Sequence, residues 1–460
     1  MKLFRDLAEA IRGSEQDYTQ GSISRAILLL SVPMVLEMAM ESLFAVVDVF
    51  FVASLGASAV ATVGLTESML TLVYAVALGL SMGTTAMVAR RIGEKNPEEA
   101  ARTAVQAVLV GIAASVPFAL VGIFFAKDVL VLMGADPWVL EHGYKYTRWM
   151  LGGNAVIMLI FINNAVFRGA GDAAIAMRVL WVSNAINIVL DPALIRGWGP
   201  LPAMGVEGAA VATCIGRGVG VLMQFWVLFR GAWHIRVLWS QVHVSAALMW
   251  RLIRVSLGGI GQFVIATSSW VFLVRIMSEF GSAALAGYTI AIRIVIFTFL
   301  PAWGLSNAAA TLVGQNLGAK QPERAERSAW LTGLANMGFM AVVAAVYIIW
   351  NEPLIRFFTD DPEVIAIGAD CLRIVSYGYL FYAWELVMIN AFNGAGDTIT
   401  PTIINFICFW MIEIPVAYVL AMKTGMGAHG VYWSIVIAES VAGLIAIFWF
   451  RRGKWKTRMV

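Results

Sequence analysis

Two aspartates, Asp48 and Asp191, lie in long apolar stretches of the sequence, where a carboxylate is costly to bury. Asp48 has Phe, Ala, Val and Leu around it in FAVVDVFFVASLG, residues 44–56. Asn187 precedes Asp191 by four residues, so both side chains share a helix face, and Pro192 leaves one backbone carbonyl without its helical partner. Because such oxygens suit a hard cation and paired carboxylates also suit a proton, we predict a site for Na⁺ or H⁺ at Asp48, Asn187 and Asp191.

Three other polar side chains in apolar segments are candidates for the same machinery. Thr213 could add a hydroxyl ligand to the ion site, and the alternative is a packing threonine that bonds its own helix backbone. Asn163 and Asn164 could line a substrate cavity, and the alternative is hydrogen bonding between helices.

Glu41 is the candidate carboxylate for attracting a cationic substrate. It follows Glu37 by four residues, and Asp48 follows Glu37 by eleven, so all three share one helix face. That face cannot point at lipid, so we expect Glu41 to line the interior of its helix bundle or a cleft beside it. The alternative is a structural ion pair with Arg217 or Arg293, which also lie inside apolar segments.

The elements that position these residues are membrane-spanning helices. The chain has 460 residues, of which 60% are hydrophobic and 13% charged, whereas soluble domains average roughly 45–50% and 25%. Apolar runs of about 20 residues recur, enough to cross the hydrocarbon as helices. The sequence thus predicts an all-α integral membrane protein with twelve spans, at about residues 25–52, 59–89, 104–125, 143–167, 175–195, 206–229, 251–278, 284–313, 328–349, 369–392, 401–422 and 429–450.

Positive charges are concentrated on one side of this predicted topology. Of the 32 Lys and Arg residues, 22 lie in the termini and in the links after the even-numbered spans, a side that we call the basic side. The positive-inside rule predicts that the basic side and both termini are cytoplasmic, in a plasma (inner) membrane. A net charge of +3 arises from these links and does not indicate a nucleic-acid partner.

The two halves of the chain repeat each other at an offset of 225 residues. VARRIGEKNPEEA (88–100) matches VGQNLGAKQPERA (313–325), and FRGAGD (167–172) matches FNGAGD (392–397). Each half carries six spans in the same orientation, which predicts two six-helix lobes related by pseudo-twofold symmetry.

The predicted domains follow from this repeat. They are an N-terminal lobe at 1–231, a surface linker helix at 232–250 and a C-terminal lobe at 251–460. A cleft between two such lobes suits alternating access. Because no G-x-x-x-x-G-K-[ST] phosphate loop occurs, we expect an ion gradient to drive transport.

At this point the sequence resembles the multidrug and toxic compound extrusion (MATE) family over nearly its whole length. The likeness rests on the duplicated spans, on both repeated motifs, on P-x(14)-D-x(7)-G at Pro33, Asp48 and Gly56, and on N-x-x-x-D-P at Asn187. The resemblance implies export of organic cations and other amphipathic compounds in exchange for Na⁺ or H⁺. It implies no other cofactor, and we expect a monomer.

Among branches of the family, the chain is most similar to the DinF-like one. The NorM-like branch carries an acidic residue early in span seven, where this sequence has Gln262 and no acid before Glu279. The first-lobe pair Asp48 and Asp191 is present, as in the DinF-like branch. The expected mechanism is that ion binding at this pair repacks the first lobe, with bending at Pro33 and Pro192, and releases the drug outside.

Three other functions remain as alternatives. A lipid-linked saccharide or lipid flippase of the same superfamily is disfavoured because few arginines lie inside the spans. An intramembrane enzyme is disfavoured because the sequence has no H-E-x-x-H and no G-x-S-x-G motif. A channel is disfavoured because the two-lobe repeat includes no filter-like carbonyl loop.

Overall fold

The computed structural model describes residues 2–199, 201–232 and 234–458, without the side chains of Lys2 and Val49, and this part of the chain is helical. After an N-terminal helix, Lys2–Arg12, come twelve long helices. They are α1 Ile23–Ala53, α2 Ala57–Gly93, α3 Pro97–Leu132, α4 Val139–Ala170, α5 Ala173–Arg196, α6 Val206–Arg230, α7 Ala246–Ser278, α8 Ser282–Gly318, α9 Pro322–Ile349, α10 Pro362–Ser376 with Tyr379–Gly394, α11 Ile399–Lys423 and α12 Ala428–Arg451.

The length and composition of these helices support the predicted spans. Within the described ranges, ten helices are long and apolar enough to cross a membrane, and α10, bent by 58° at its break, makes an eleventh. α1 carries three carboxylates, and its 31 residues extend about 46 Å, enough to cross a membrane. It packs against α5 of its own half and α8 of the other, which completes a bundle of twelve.

The sequence repeat is reproduced in the backbone. Lys95 and Lys320, which occupy the same place in the repeated motif, are the non-glycine residues with positive φ among those described, both at 59°. Gly205 and Gly427 precede α6 and α12 with φ 59° in both cases and ψ of −138° and −139°. Equal sequence positions thus build equal turns, and the prediction of two six-helix lobes is confirmed.

The predicted linker helix at 232–250 is wrong. α6 ends at Arg230, the link contains a short 3₁₀ turn at Trp239–Gln241, and α7 already begins at Ala246. The reason lies in the apolar side chains of Ile235 and Val237, which are buried in the core of the first lobe instead of lying on a lipid surface.

The two lobes meet closely in the halves of their helices that lie nearest to the basic side. Glycines there come so near the opposite lobe that a Cβ atom has no room, at Gly79 against Ile260, Gly83 against Ser256, Gly93 against Gln315 and Gly318 against Arg90. Hydrogen bonds cross the same boundary: Thr311 donates to the carbonyl of Arg168 at 3.0 Å, and Gln315 donates to that of Gly169 at 3.0 Å. We call this boundary the seam.

The segment before α1 fastens the basic side further. Lys95 of the first lobe forms an ion pair with Asp17 at 2.6 Å, and hydrogen bonds from Lys95 and Thr19 lower the pKa of Asp17 against the opposing effect of burial. Arg324 of the second lobe donates to the carbonyls of Tyr18 at 3.2 Å and Gln20 at 2.8 Å. One segment therefore contacts both lobes.

Candidate functional site

Asp191 is the centre of a polar cluster inside the first lobe. Its residue is completely buried. With the amide of Asn187 oriented so that both neighbours are satisfied, Nδ2 donates to Asp191 Oδ2 at 2.8 Å and Oδ1 accepts from the Thr213 hydroxyl at 2.9 Å. The second carboxyl oxygen of Asp191, Oδ1, has no hydrogen-bond partner among the described residues. Spacing within α5 accounts for the first contact, and packing of α5 on α6 brings in Thr213.

Asp48 lies beside this cluster on α1. The residue is 9% exposed, and its carboxyl group interacts electrostatically with that of Asp191. In the part of the chain that the structure describes, Asp48 has no ion pair or hydrogen bond. The structure therefore brings Asp48, Asn187, Asp191 and Thr213 into one region of the first lobe, and their role in binding an ion stays a prediction.

Glu41 is neutralised by an arginine of the same lobe. Its carboxylate lies 2.8 Å from the Arg217 guanidinium and accepts a hydrogen bond from Asn184 at 3.2 Å. The guanidinium also lies over the rings of Phe44 and Phe161. This contact is the structural ion pair with Arg217 that was the alternative to a substrate-binding role for Glu41. In this conformation the Glu41 carboxylate already has a counter-ion.

Asn163 and Asn164 belong to a hydrogen-bond network between α4, α1 and α6. Asn163 donates to Gln224 at 3.1 Å, and Gln224 donates to Asn164 at 2.7 Å. Asn164 then donates at 2.9 Å to Glu37, whose carboxylate lies 3.1 Å from Arg168. Both asparagines are buried, so in this conformation they serve the interhelical bonding that was their alternative role.

Sequence reasoning missed Gln224 and the pairing of Arg168 with Glu37. Arg168 lies near the end of α4 and counts among the positive charges of the basic side, yet its side chain points inward and lines a cavity between the lobes. Gln224 follows Arg217 by seven residues on α6, so their common helix face was a usable signal.

The two candidate hinge prolines lie inside continuous helices. Pro33 is in α1, next to Met34, whose backbone contacts Gly304 of α8 across the seam. Pro192 is in α5 and directly follows the buried Asp191. Each proline removes one backbone hydrogen bond from its helix, so each marks a weak point for bending, and a hinge at either stays a prediction.

Gln262 takes part in packing within the second lobe. Its side chain bonds the amide of Asn393 at 3.0 Å and the carbonyl of Thr398 at 3.1 Å. A neutral amide thus joins α7 to the end of α10, in the part of span seven where the NorM-like branch carries an acidic residue.

Comparison with known proteins places this architecture in a family. The sequence pattern of the MatE family matches residues 33–193 and 260–419, one stretch in each lobe. A probable multidrug resistance protein NorM of Thermotoga maritima is 30% identical over 95% of this chain and 94% of its own length.

Two solved structures share the fold at low sequence identity. One, described as an outward-facing multidrug resistance MATE transporter of the MOP superfamily, has a TM-score of 0.88 at 25% identity, covering 95% of this chain and 96% of that one. Another, a MATE protein in complex with MaL6, has a TM-score of 0.88 at 26% identity, covering 95% and 97%. The chain therefore belongs to the MATE family of multidrug efflux transporters and is a multi-pass membrane protein, not an enzyme.

Proposed function

We propose that this transporter exports organic cations and amphipathic drugs in exchange for H⁺ or Na⁺ bound in the first lobe, at Asp48, Asn187, Asp191 and Thr213. One observation carries the proposal. Asp191 is completely buried, and its Oδ1 atom has no partner among the described residues. A buried carboxylate left without a counter-charge favours the uptake of a cation, because an unpaired charge in an apolar interior is costly.

Both coupling ions fit this set of groups. A proton would neutralise one of the two carboxylates and relieve their repulsion. Na⁺ would find carboxylate, amide and hydroxyl oxygens, the hard ligands that such a cation prefers.

Alternating access then follows from the position of the seam. The lobes are closed on the basic side. With that side cytoplasmic, as the distribution of Lys and Arg predicts, the described conformation faces outward. In this state the ion enters from outside. Its binding repacks α1, α5 and α6, with bending at Pro33 and Pro192, which weakens drug binding and releases the drug outside. The ion drives this change because it binds the two states with different affinity.

The predicted cavity residues can contact a drug only after their present partners move. These residues are Glu41, Asn163 and Asn164. Glu41 is held by Arg217 and the asparagines by Gln224. A cationic substrate that displaces Arg217 from Glu41 would free a carboxylate at the cavity wall. The resemblance to the DinF-like branch supports coupling through this lobe. We also propose that the chain works as a monomer in the plasma (inner) membrane.

The decisive experiment measures efflux of a cationic dye from proteoliposomes under a pure proton gradient and then under a pure sodium gradient. We expect the wild-type chain to respond to one of them. Asp191→Asn and Asp48→Asn should each reduce gradient-driven efflux by at least tenfold, because a neutral amide cannot exchange the ion's charge.

Asp128→Asn is the matched control, since Asp128 is an exposed carboxylate on α3. Equal incorporation of every variant into the vesicles is verified by gel. Near-normal, gradient-dependent efflux by Asp191→Asn and Asp48→Asn would refute the coupling site.

A further inference from the structure

The second lobe carries three carboxyl groups inside the membrane region that the coupling mechanism does not use. They are Glu385 on α10, Glu413 on α11 and Glu439 on α12. Glu385 and Glu413 are only 3% and 5% exposed, and Glu439 is partly buried. Within the described residues, none of the three forms an ion pair with Lys or Arg.

Hydrogen bonding accounts for only part of these carboxyl groups. Ser269 donates to Glu413 Oε2 at 2.6 Å. Glu385 and Glu439 lie within hydrogen-bonding reach of each other. Neither Oε2 atom of this pair accepts a hydrogen bond from a donor group among the described residues. A proton shared between the two carboxyl groups would satisfy both and leave one negative charge without a counter-ion.

A cavity of about 400 Å³ lies against two of the three carboxyl groups, Glu413 and Glu439. Five helices of the second lobe enclose it, and its walls are mostly apolar and aromatic, including Trp270, Phe299 and Tyr382. We call this cavity the second-lobe chamber. Its volume is within the roughly 300–1,000 Å³ usual for small-molecule pockets.

The second-lobe chamber lies one cavity away from the space between the lobes. A neighbouring cavity of about 150 Å³, lined by Glu385, shares the wall residues Phe299 and Tyr382 with it. That cavity in turn shares Trp303 and Asn390 with the cavity between the lobes. Movement of these shared side chains would therefore join the chamber to the space between the lobes.

The chemistry of the walls identifies the class of ligand. An inorganic ion needs several oxygens around one small space, and no cluster of acidic side chains able to hold a metal is present among the described residues. Aromatic faces and apolar walls around isolated carboxylates instead suit a bulky, delocalised positive charge.

We propose that the second-lobe chamber is a binding site for lipophilic organic cations, with Glu413 and Glu439 as counter-charges and Trp270 and Tyr382 as stacking partners. This inference deepens the proposed function, on which it rests for its link to export. The chamber is separate from the first-lobe coupling site, so drug and ion would be held in different lobes.

The test is equilibrium binding of tetraphenylphosphonium to the purified full chain in detergent, by isothermal titration calorimetry. Glu413→Gln and Glu439→Gln should each weaken binding at least tenfold, and Glu413→Asp, which keeps the charge, should restore most of it. Glu279→Gln is the matched control, because Glu279 is an exposed carboxylate of the same lobe, paired with Arg275 at 2.9 Å. The neutral analogue triphenylphosphine oxide should bind all variants alike.

The outcomes separate this inference from the proposed function. Asp48→Asn should bind tetraphenylphosphonium normally while losing coupled efflux, so a failure of efflux alone refutes only the coupling site. Binding within twofold of wild type in both Gln variants, equal weakening in Glu279→Gln, or no binding to the wild-type chain would overturn the chamber. Should Glu413→Gln aggregate on size exclusion, Glu439→Gln and Glu413→Asp decide the question.

Discussion

The two lobes share one backbone plan but handle buried charge in opposite ways. In the first lobe, Arg217 on the inner face of α6 neutralises Glu41 of α1. In the second, the residue at the same place is Glu439, since each lies twelve positions after the matching glycine, Gly205 or Gly427. A positive centre in one lobe thus corresponds to a negative centre in the other.

This difference shows that the duplicated scaffold does not itself require any of these charges. Leu273, at an offset of 225 from Asp48, packs in the core of the second lobe where the first has a carboxylate. Under the two proposals made above, these charges give the lobes different tasks, with ion coupling in the first lobe and organic-cation binding in the second.

The largest expected effect comes from breaking the ion pair between Arg217 and Glu41. Arg217→Met should destabilise the protein by about 3 kcal/mol, because the carboxylate of Glu41, which is only 20% exposed, would lose its counter-ion. The melting temperature in detergent measures this. The double change Arg217→Met with Glu41→Met should recover most of the loss, whereas Arg275→Met, at an exposed pair, should change little. A harmless Arg217→Met would show that the pair is not structural.

The next largest effect is expected when Glu439 of the second lobe is replaced by arginine, the residue at the matching place in the first lobe. Glu439→Arg should weaken tetraphenylphosphonium binding roughly 100-fold, since a cation would then occupy the place of the ligand and pair with Glu385 or Glu413. Glu279→Arg adds the same charge at an exposed site and should have no such effect. Unchanged binding in Glu439→Arg would remove the contrast that we draw between the lobes.

A smaller effect is expected where the lobes meet. A Cβ atom at Gly318 would collide with the backbone of Arg90 in the other lobe, so Gly318→Ala should cost about 2 kcal/mol and separate the lobes on the basic side. Distances between spin labels on the two lobes report the separation. Gly338→Ala is the control, because a Cβ at Gly338 in α9 meets open space. Unaltered distances in Gly318→Ala would mean that the seam yields locally.

The smallest effect concerns pH, at a pair of aspartates that match between the lobes. Asp172 lies 2.6 Å from His234, whereas Asp397 lies 3.4 Å from Arg458. Burial opposes the charged imidazole of His234, but the hydrogen bond and charge of Asp172, aided by Asp17, raise its pKa above 6.5 overall. This contact therefore stabilises the protein fully below about pH 6.5 and is lost as the pH rises through the raised pKa.

His234→Arg should accordingly give Asp172 a partner that stays charged at every pH tested, as Arg458 is for Asp397 in the second lobe. The melting temperature of the wild-type chain should fall between pH 6 and pH 9 by more than that of His234→Arg. The ring of Tyr18 lies 6.4 Å from His234 and should remain neutral over this range, because burial raises its pKa. Identical pH profiles would contradict the role of this contact.

Much of the fold could be predicted because the relevant signals are local or repeated. Apolar runs located the spans, and the offset of 225 residues located the two turns at Lys95 and Lys320. The bend in α10 and the extended link around Ile235 were not predictable in the same way. Both depend on which apolar side chains find a place in the core, and hydropathy alone does not distinguish core from lipid.

The residues of the candidate site could be predicted, but the contacts between their helices could not. The spacing of Asn187 and Asp191 fixed their common face, whereas the contact of Thr213 with Asn187 depends on how α6 packs on α5. Spacing cannot tell how one helix is rotated against another. For that reason the partner of Glu37, which is Arg168, and the assembly of Glu385 with Glu439 were not foreseen.

The close approach of backbones at Gly93 and Gly318 also has an electrical consequence. A membrane that stores an ion gradient behaves as a charged capacitor, and each 100 mV across it is worth roughly 2.3 kcal/mol per elementary charge. Backbones that leave no room for a Cβ atom leave none for water, so this stretch separates the solutions on the two sides and carries a large share of the voltage. Widening it by a few ångströms would let ions leak through the protein, and under the proposed coupling that leak would dissipate the gradient used for export.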